Sequence, residues 1–159
     1  MTLLQKAQAE ADRSIHIADT PASLAQFLEP ETAAAIWRRQ TPPDNQRWLD
    51  RHDPEVLPRG RVVFDARVVG DTINQLCNIS QLPIGPERDW LQNDIASLAA
   101  MFSQLLGAKY LRLRLDVVTS NACRKFHVDA ITSRLICTYR GTGTQYGISS
   151  NEFDPDRVF

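Results

Sequence analysis

The run Pro86-Glu-Arg-Asp-Trp-Leu-Gln-Asn-Asp-Ile-Ala-Ser-Leu-Ala-Ala-Met-Phe-Ser-Gln-Leu-Leu106 passes through Gly107-Ala108 into Lys109-Tyr-Leu-Arg-Leu-Arg-Leu-Asp-Val-Val118, and its hydrophobic period changes on the way. Before Gly107, Leu91, Ile95, Leu98, Phe102 and Leu105 recur at three- and four-residue steps, the spacing of one helix face. Pro86 suits a first helical position, and Glu87 and Asp89 place carboxylates at the positive end of the helix dipole. Gly107 stands where a left-handed residue ends a helix. Beyond it, Leu111, Leu113, Leu115 and Val117 alternate with Arg112, Arg114 and Asp116, which predicts a strand with one buried face. A long helix bracing a sheet makes the fold class α+β.

Downstream, Thr119-Ser-Asn-Ala reads as a turn or loop. A second strand is expected over Arg134–Arg140, with Leu135, Cys137 and Tyr139 on one face. Gly141-Thr-Gly-Thr turns the chain, and a third strand is expected from Gln145 to Ile148. Asn151 to Phe159 is a polar tail that ends loosely.

Upstream, Thr20-Pro21 opens a short helix with a capping side chain and a proline at its first position. Glu31–Arg39, with three alanines, is expected to form another, which Pro42-Pro43 breaks. Trp48 and Leu49 seed a further turn, and Trp37 and Trp48 are expected to pack these pieces onto the main body. Arg61–Phe64 reads as a strand, and Asp65 as the cap of a helix burying Val69, Ile73, Leu76 and Cys77. Ile79–Gly85 is a linker.

At 159 residues the chain has material for one domain with a core. A net charge of −1 supplies no global field for nucleic acid or an anionic membrane. No apolar run is long enough to span a bilayer or to serve as a secretory leader. Three widely spaced cysteines are too few for a disulfide framework, so a reducing cytoplasm is the expected location.

Between the two expected strands lies Cys123-Arg-Lys-Phe-His127-Val-Asp129, the densest group of metal-capable side chains in the chain. One residue separates His127 from Asp129, so on extended backbone both side chains leave the same face. An imidazole and a carboxylate so placed supply two of the three ligands of a facial triad for Fe(II). Cys123 offers a third donor, and its thiolate would shift preference toward zinc. The alternative is a hydrogen-bonded His–Asp pair with no metal, a structural fragment only. Cys77 and Cys137 read as small buried apolar residues, and His16 and His52 stand in separate contexts.

His127-x-Asp129, then Arg134, Thr138-Tyr139 and a glycine turn, resembles the prolyl-hydroxylase type of 2-oxoglutarate-dependent Fe(II) oxygenase over about twenty-five residues. That resemblance implies a double-stranded β-helix (jelly roll), metal at His127 and Asp129, and 2-oxoglutarate as co-substrate. It also implies a later histidine and a later arginine for the 2-oxoglutarate carboxylate. No histidine follows His127, so the scaffold is expected to be incomplete.

The residues Cys123-Arg-Lys-Phe-His-Val-Asp129 and Arg134-Leu-Ile-Cys-Thr-Tyr-Arg-Gly-Thr-Gly-Thr144 are also similar to a longer pattern, that of the bacterial family called domain of unknown function 1826. The upstream helix with Trp90, Asp94 and Phe102 fits the layout of that family. Genes of the family tend to lie near zinc-homeostasis genes, including metal-chaperone GTPases. The resemblance therefore implies, as the alternative to an enzyme, a zinc-binding accessory protein in metal homeostasis.

The expected organisation is one domain over 1–159: a helical N-terminal region at 1–60, a helical brace at 61–107 and a β-region with the metal site at 108–150. The antiparallel sheet resembles part of a double-stranded β-helix and lacks its C-terminal strands. The expected metal ligands are His127, Asp129 and Cys123, holding Fe(II) or Zn(II). Arg134, Thr138, Tyr139 and Arg140 are expected around the metal or lining a ligand pocket. The expected partners are the metal and an unidentified small-molecule or protein substrate, with no nucleic acid and no membrane; an oligomer is left open.

Overall fold

A computed structural model of the chain describes residues 15–30, 32–120 and 132–144. They fall into two compact units. One holds the described residues up to Gln40 together with Thr144, and the other those from Thr41 to Gly143.

The second unit is built on a helix, Pro86–Leu106, with the boundaries that the sequence predicts. Its C-terminal signal works as expected. Gly107 takes φ 61°, its N–H donates to the Gln104 carbonyl at 3.3 Å, and the Ala108 N–H donates to that of Ser103 at 3.0 Å. Two helices precede it, so the elements of this unit run α1 (Pro43–Arg51), β3 (Gly60–Asp65), α2 (Val69–Ile79), α3 (Pro86–Leu106) and β4 (Tyr110–Leu115). β3 and β4 pair antiparallel, with Val62 opposite Leu113 and Phe64 opposite Leu111.

Those inward residues close over the helices. Trp48 and Leu49 of α1, Phe64 of β3, Val69, Ile73 and Cys77 of α2, and Leu91 and Ile95 of α3 form one buried cluster. Gly60 lets β3 approach α2, since a Cβ there would lie 2.7 Å from Leu76 Cδ2. Asp65 does cap, but it caps a three-residue 3-10 turn (Ala66–Val68) ahead of α2. Its carboxylate accepts from the Arg67 side chain and backbone N–H, which holds its pKa well below the usual carboxylate range.

Arg88 is 5% exposed and lies on the stripe of Leu91, Ile95 and Leu98. Its guanidinium donates to the Leu82 carbonyl at 2.8 Å, to Asn78 Oδ1 at 2.5 Å and to Asn74 Oδ1 at 3.0 Å. These acceptors are neutral. One of them, Asn78, belongs to the last turn of α2, where the helix dipole is negative and offsets part of the cost of burying the charge.

The first unit pairs β1 (Ile15–Ala18) in parallel with β2 (Ala34–Trp37), Ile15 opposite Ala34 and Ala18 opposite Trp37. The 3-10 helix Pro21–Leu28 joins them; Thr20 Oγ1 accepts from the Ser23 N–H at 3.3 Å, the predicted cap. β2 corrects the helix expected over Glu31–Arg39. Alanine favours helix in isolation, but pairing with β1 gives Ala34–Trp37 a complete set of rungs, and that tertiary contact overrides the weak propensity. Trp37 is correspondingly in a strand, half-buried, with the Arg39 guanidinium 5.4 Å from its ring centre.

A second correction concerns Arg134–Arg140. The alternation is real, with Leu135, Cys137 and Tyr139 half-buried and Arg134, Ile136, Thr138 and Arg140 exposed, but no strand ladder includes the segment among the described residues. Alternating burial reports extended backbone, which a ladder does not have to accompany. The architecture is thus mixed helix and strand with a small antiparallel sheet. The strand expected over Gln145–Ile148 and the tail lie outside the described residues. Among the described residues no helix is long and apolar enough to cross a membrane.

Candidate functional site

Four of the residues expected at the site lie on the extended segment 132–144, and the structure shows what that segment rests on. Tyr139 turns inward between α1 and α3. Its phenol donates to Asp94 Oδ2 at 2.5 Å, and its ring meets Trp90 edge-on, with centroids 6.1 Å apart at 85°. Trp90 and Asp94 are four residues apart on α3, which places them on one flank of the apolar stripe. The Tyr139 carbonyl accepts from Gln46 Nε2 of α1 at 3.1 Å, and the same amide nitrogen donates to Asp50 Oδ1 at 3.0 Å.

Arg140 continues the attachment. Nη1 donates to the His52 carbonyl at 2.8 Å and the Leu49 carbonyl at 3.4 Å, while Nε lies 4.0 Å from Asp50. These are groups at the C-terminal end of α1, where the dipole favours a cation. His52 is itself fixed. Its Nδ1–H donates to the Trp48 carbonyl at 2.7 Å and its ring lies 4.6 Å from that of Trp48. That hydrogen bond assigns the Nδ1–H tautomer to a neutral ring, since a carbonyl only accepts.

Gly141, at φ 83°, stands in the predicted turn. Thr138 and Arg134 are exposed; Thr138 Oγ1 lies 3.7 Å from where a Cβ on Gly143 would stand. Tyr139 and Arg140 are thus both tied to the helical body by hydrogen bonds, Arg140 from an exposed position, and Arg134 and Thr138 are exposed. Gln46, Asp50, Trp90 and Asp94 complete the arrangement. Their i,i+4 spacings, Gln46 with Asp50 and Trp90 with Asp94, are the sequence signal that marks them.

His127, Asp129 and Cys123 lie outside the described residues. Among the described residues no three His, Cys, Asp or Glu side chains stand close enough to hold a metal ion. Cys77 does not offer an alternative: it is fully buried, and burial pushes its thiol pKa up, which suppresses the thiolate that would bind metal or attack an electrophile.

The family model described as a protein of unknown function, DUF1826, matches residues 18–158. No curated protein and no solved structure matches the chain.

Proposed function

The chain belongs to the DUF1826 family, and on that premise we propose that it is a metal-binding protein whose ion is held by His127 and Asp129, with Cys123 able to give a third donor. An imidazole, a carboxylate and a thiolate suit a borderline divalent cation, Fe(II) or Zn(II), better than a hard one. What carries the reading from the structure is the footing of the segment that follows these residues. Tyr139 is bound to Asp94 at 2.5 Å and Arg140 to the end of α1, so the segment that follows the motif in sequence is hydrogen-bonded to two helices. An ordered segment has less conformational freedom to lose when a neighbouring stretch of chain takes up an ion.

In this reading the scaffold is of the oxygenase kind, a partial double-stranded β-helix. Bound Fe(II) would supply oxygen activation with 2-oxoglutarate as co-substrate. Bound Zn(II) would instead make the chain an accessory protein in metal homeostasis. In either case Asp94, Trp90 and Gln46 act as positioning residues for the segment that carries Tyr139. Arg134 and Thr138 are exposed on the same segment.

Metal analysis of untagged protein beside the His127→Ala and Asp129→Ala variants tests the site. The native chain retains a stoichiometric metal ion and both variants lose it; equal metal in all three sinks the reading. Two further results separate the chemistries. Uncoupled 2-oxoglutarate turnover with Fe(II) favours the oxygenase, whereas tight zinc binding that disappears in Cys123→Ser favours the accessory protein.

A further inference from the structure

The sheet that closes the core on one face presents a different surface on the other. β3 and β4 alternate, so the outward rungs are Arg61 opposite Arg114, Val63 opposite Arg112, and Asp65 opposite Tyr110. Val63 is 63% exposed and Tyr110 60%. Among the described residues Arg61 and Arg112 have no ion-pair partner, and Arg114 pairs with Asp116 alone. Like charges directly opposite one another across two strands are destabilising. The Arg61–Arg114 rung therefore lowers the stability of the sheet, and Arg112 diagonally beside it adds to the field. A chain of net charge −1 has concentrated three arginines on one three-rung face around an exposed valine.

We propose that this face docks an acidic segment of a partner protein. The chemistry favours a polypeptide over a nucleic acid. Guanidinium groups take carboxylates in a bidentate fork, and Val63 at the centre gives an apolar side chain a seat between them. Arginine and tyrosine are the residues enriched at the energetic centres of protein interfaces. A phosphate backbone would leave Val63 uncovered. The lone aromatic, Tyr110, already has the Lys109 ammonium 5.2 Å from its ring, which makes a poor base-stacking platform. The face is also short, about 20 Å along six residues of strand, and a net charge of −1 supplies no wider positive field along which a long polyanion would track.

The test is fluorescence anisotropy on the full chain with three labelled probes: a peptide alternating Glu and Leu, its Lys-Leu counterpart, and oligo-dT. The acidic peptide binds at low salt, weakens about tenfold or more toward physiological salt, and loses binding in the R61E/R112E/R114E variant. The lysine peptide does not bind. All three arginines are exposed, and the substitutions replace one like-charge rung with another, so circular dichroism is expected to show an unchanged fold. Should that variant fail to fold, Arg112→Gln, which leaves the rung intact, is expected to weaken the peptide about threefold. The proposal is overturned if the acidic peptide shows no binding at low salt, if a folded charge-reversed variant, or otherwise Arg112→Gln, binds it as the native chain does, or if oligo-dT binds more tightly than the peptide.

Discussion

The phenol of Tyr139 and the carboxylate of Asp94 meet at 2.5 Å although 45 positions separate them in the chain. A hydrogen bond to a charged group contributes about 1.5–3 kcal/mol, and the edge-on contact with Trp90 adds of the order of 0.5–1 kcal/mol. Tyr139→Phe keeps the ring contact and removes the hydrogen bond, so it is expected to cost about 1–2 kcal/mol in urea denaturation. Asp94→Asn should cost a similar amount or more. The double variant should cost clearly less than the sum, because either change alone already breaks the pair. Additive costs would show that the two groups are not coupled and would remove the anchor from the candidate site. The alternation of Leu135, Cys137 and Tyr139 made the inward direction of Tyr139 legible, but its partner was not, because nothing local joins segment 132–144 to α3. His127, Asp129 and Cys123 were legible as donor types at a spacing, which is a statement about chemistry and leaves their geometry open.

At the scale of elements, legibility followed how many independent signals agreed. Pro86, Glu87, Asp89, the apolar stripe and Gly107 all mark the same helix, and α3 has the bounds they give. Over Ala34–Trp37 the only signal was alanine content, and a parallel partner arriving from Ile15–Ala18 outweighed it. Arg88 shows a signal present but unread. It stands three residues before Leu91 and so occupies the next position of the stripe, where a buried charge has to find acceptors. It ties α3 to the last turns of α2 and to Leu82, which is itself 1% exposed. Arg88→Met fills much of the same volume but leaves the Leu82 carbonyl unsatisfied, for an expected loss of about 2 kcal/mol. Arg88→Lys keeps the charge without the fork and should recover only part of that. Urea midpoints of the two variants check this; an Arg88→Met midpoint equal to the native one would mean that the buried guanidinium contributes no net stability.

For the molecule as a whole, the strongest test of the metal reading is thermodynamic linkage, because it does not depend on knowing a substrate. An ion that binds the folded chain and not the unfolded one stabilises by RT ln(1 + [L]/Kd), about 2.7 kcal/mol at a hundredfold excess over Kd. For a chain of 159 residues each kcal/mol raises Tm by roughly 2–4 °C, so saturating metal should raise it by roughly 5–11 °C. Zn(II), and Fe(II) under anaerobic conditions, titrated into metal-free protein should each be followed by the melting transition, and a chelator should return it to its starting value. Surface carboxylates and the other histidines also bind Zn(II) weakly, so the decisive comparison is with His127→Ala and Asp129→Ala, which retain His16, His52 and the remaining acidic residues. If the ion sits at the motif, both variants lose the rise apart from the small part that weak surface binding gives. A rise of the same size in either variant places the ion elsewhere. A rise in the native chain that Cys123→Ser halves or abolishes identifies the thiolate as the third donor and selects zinc over iron.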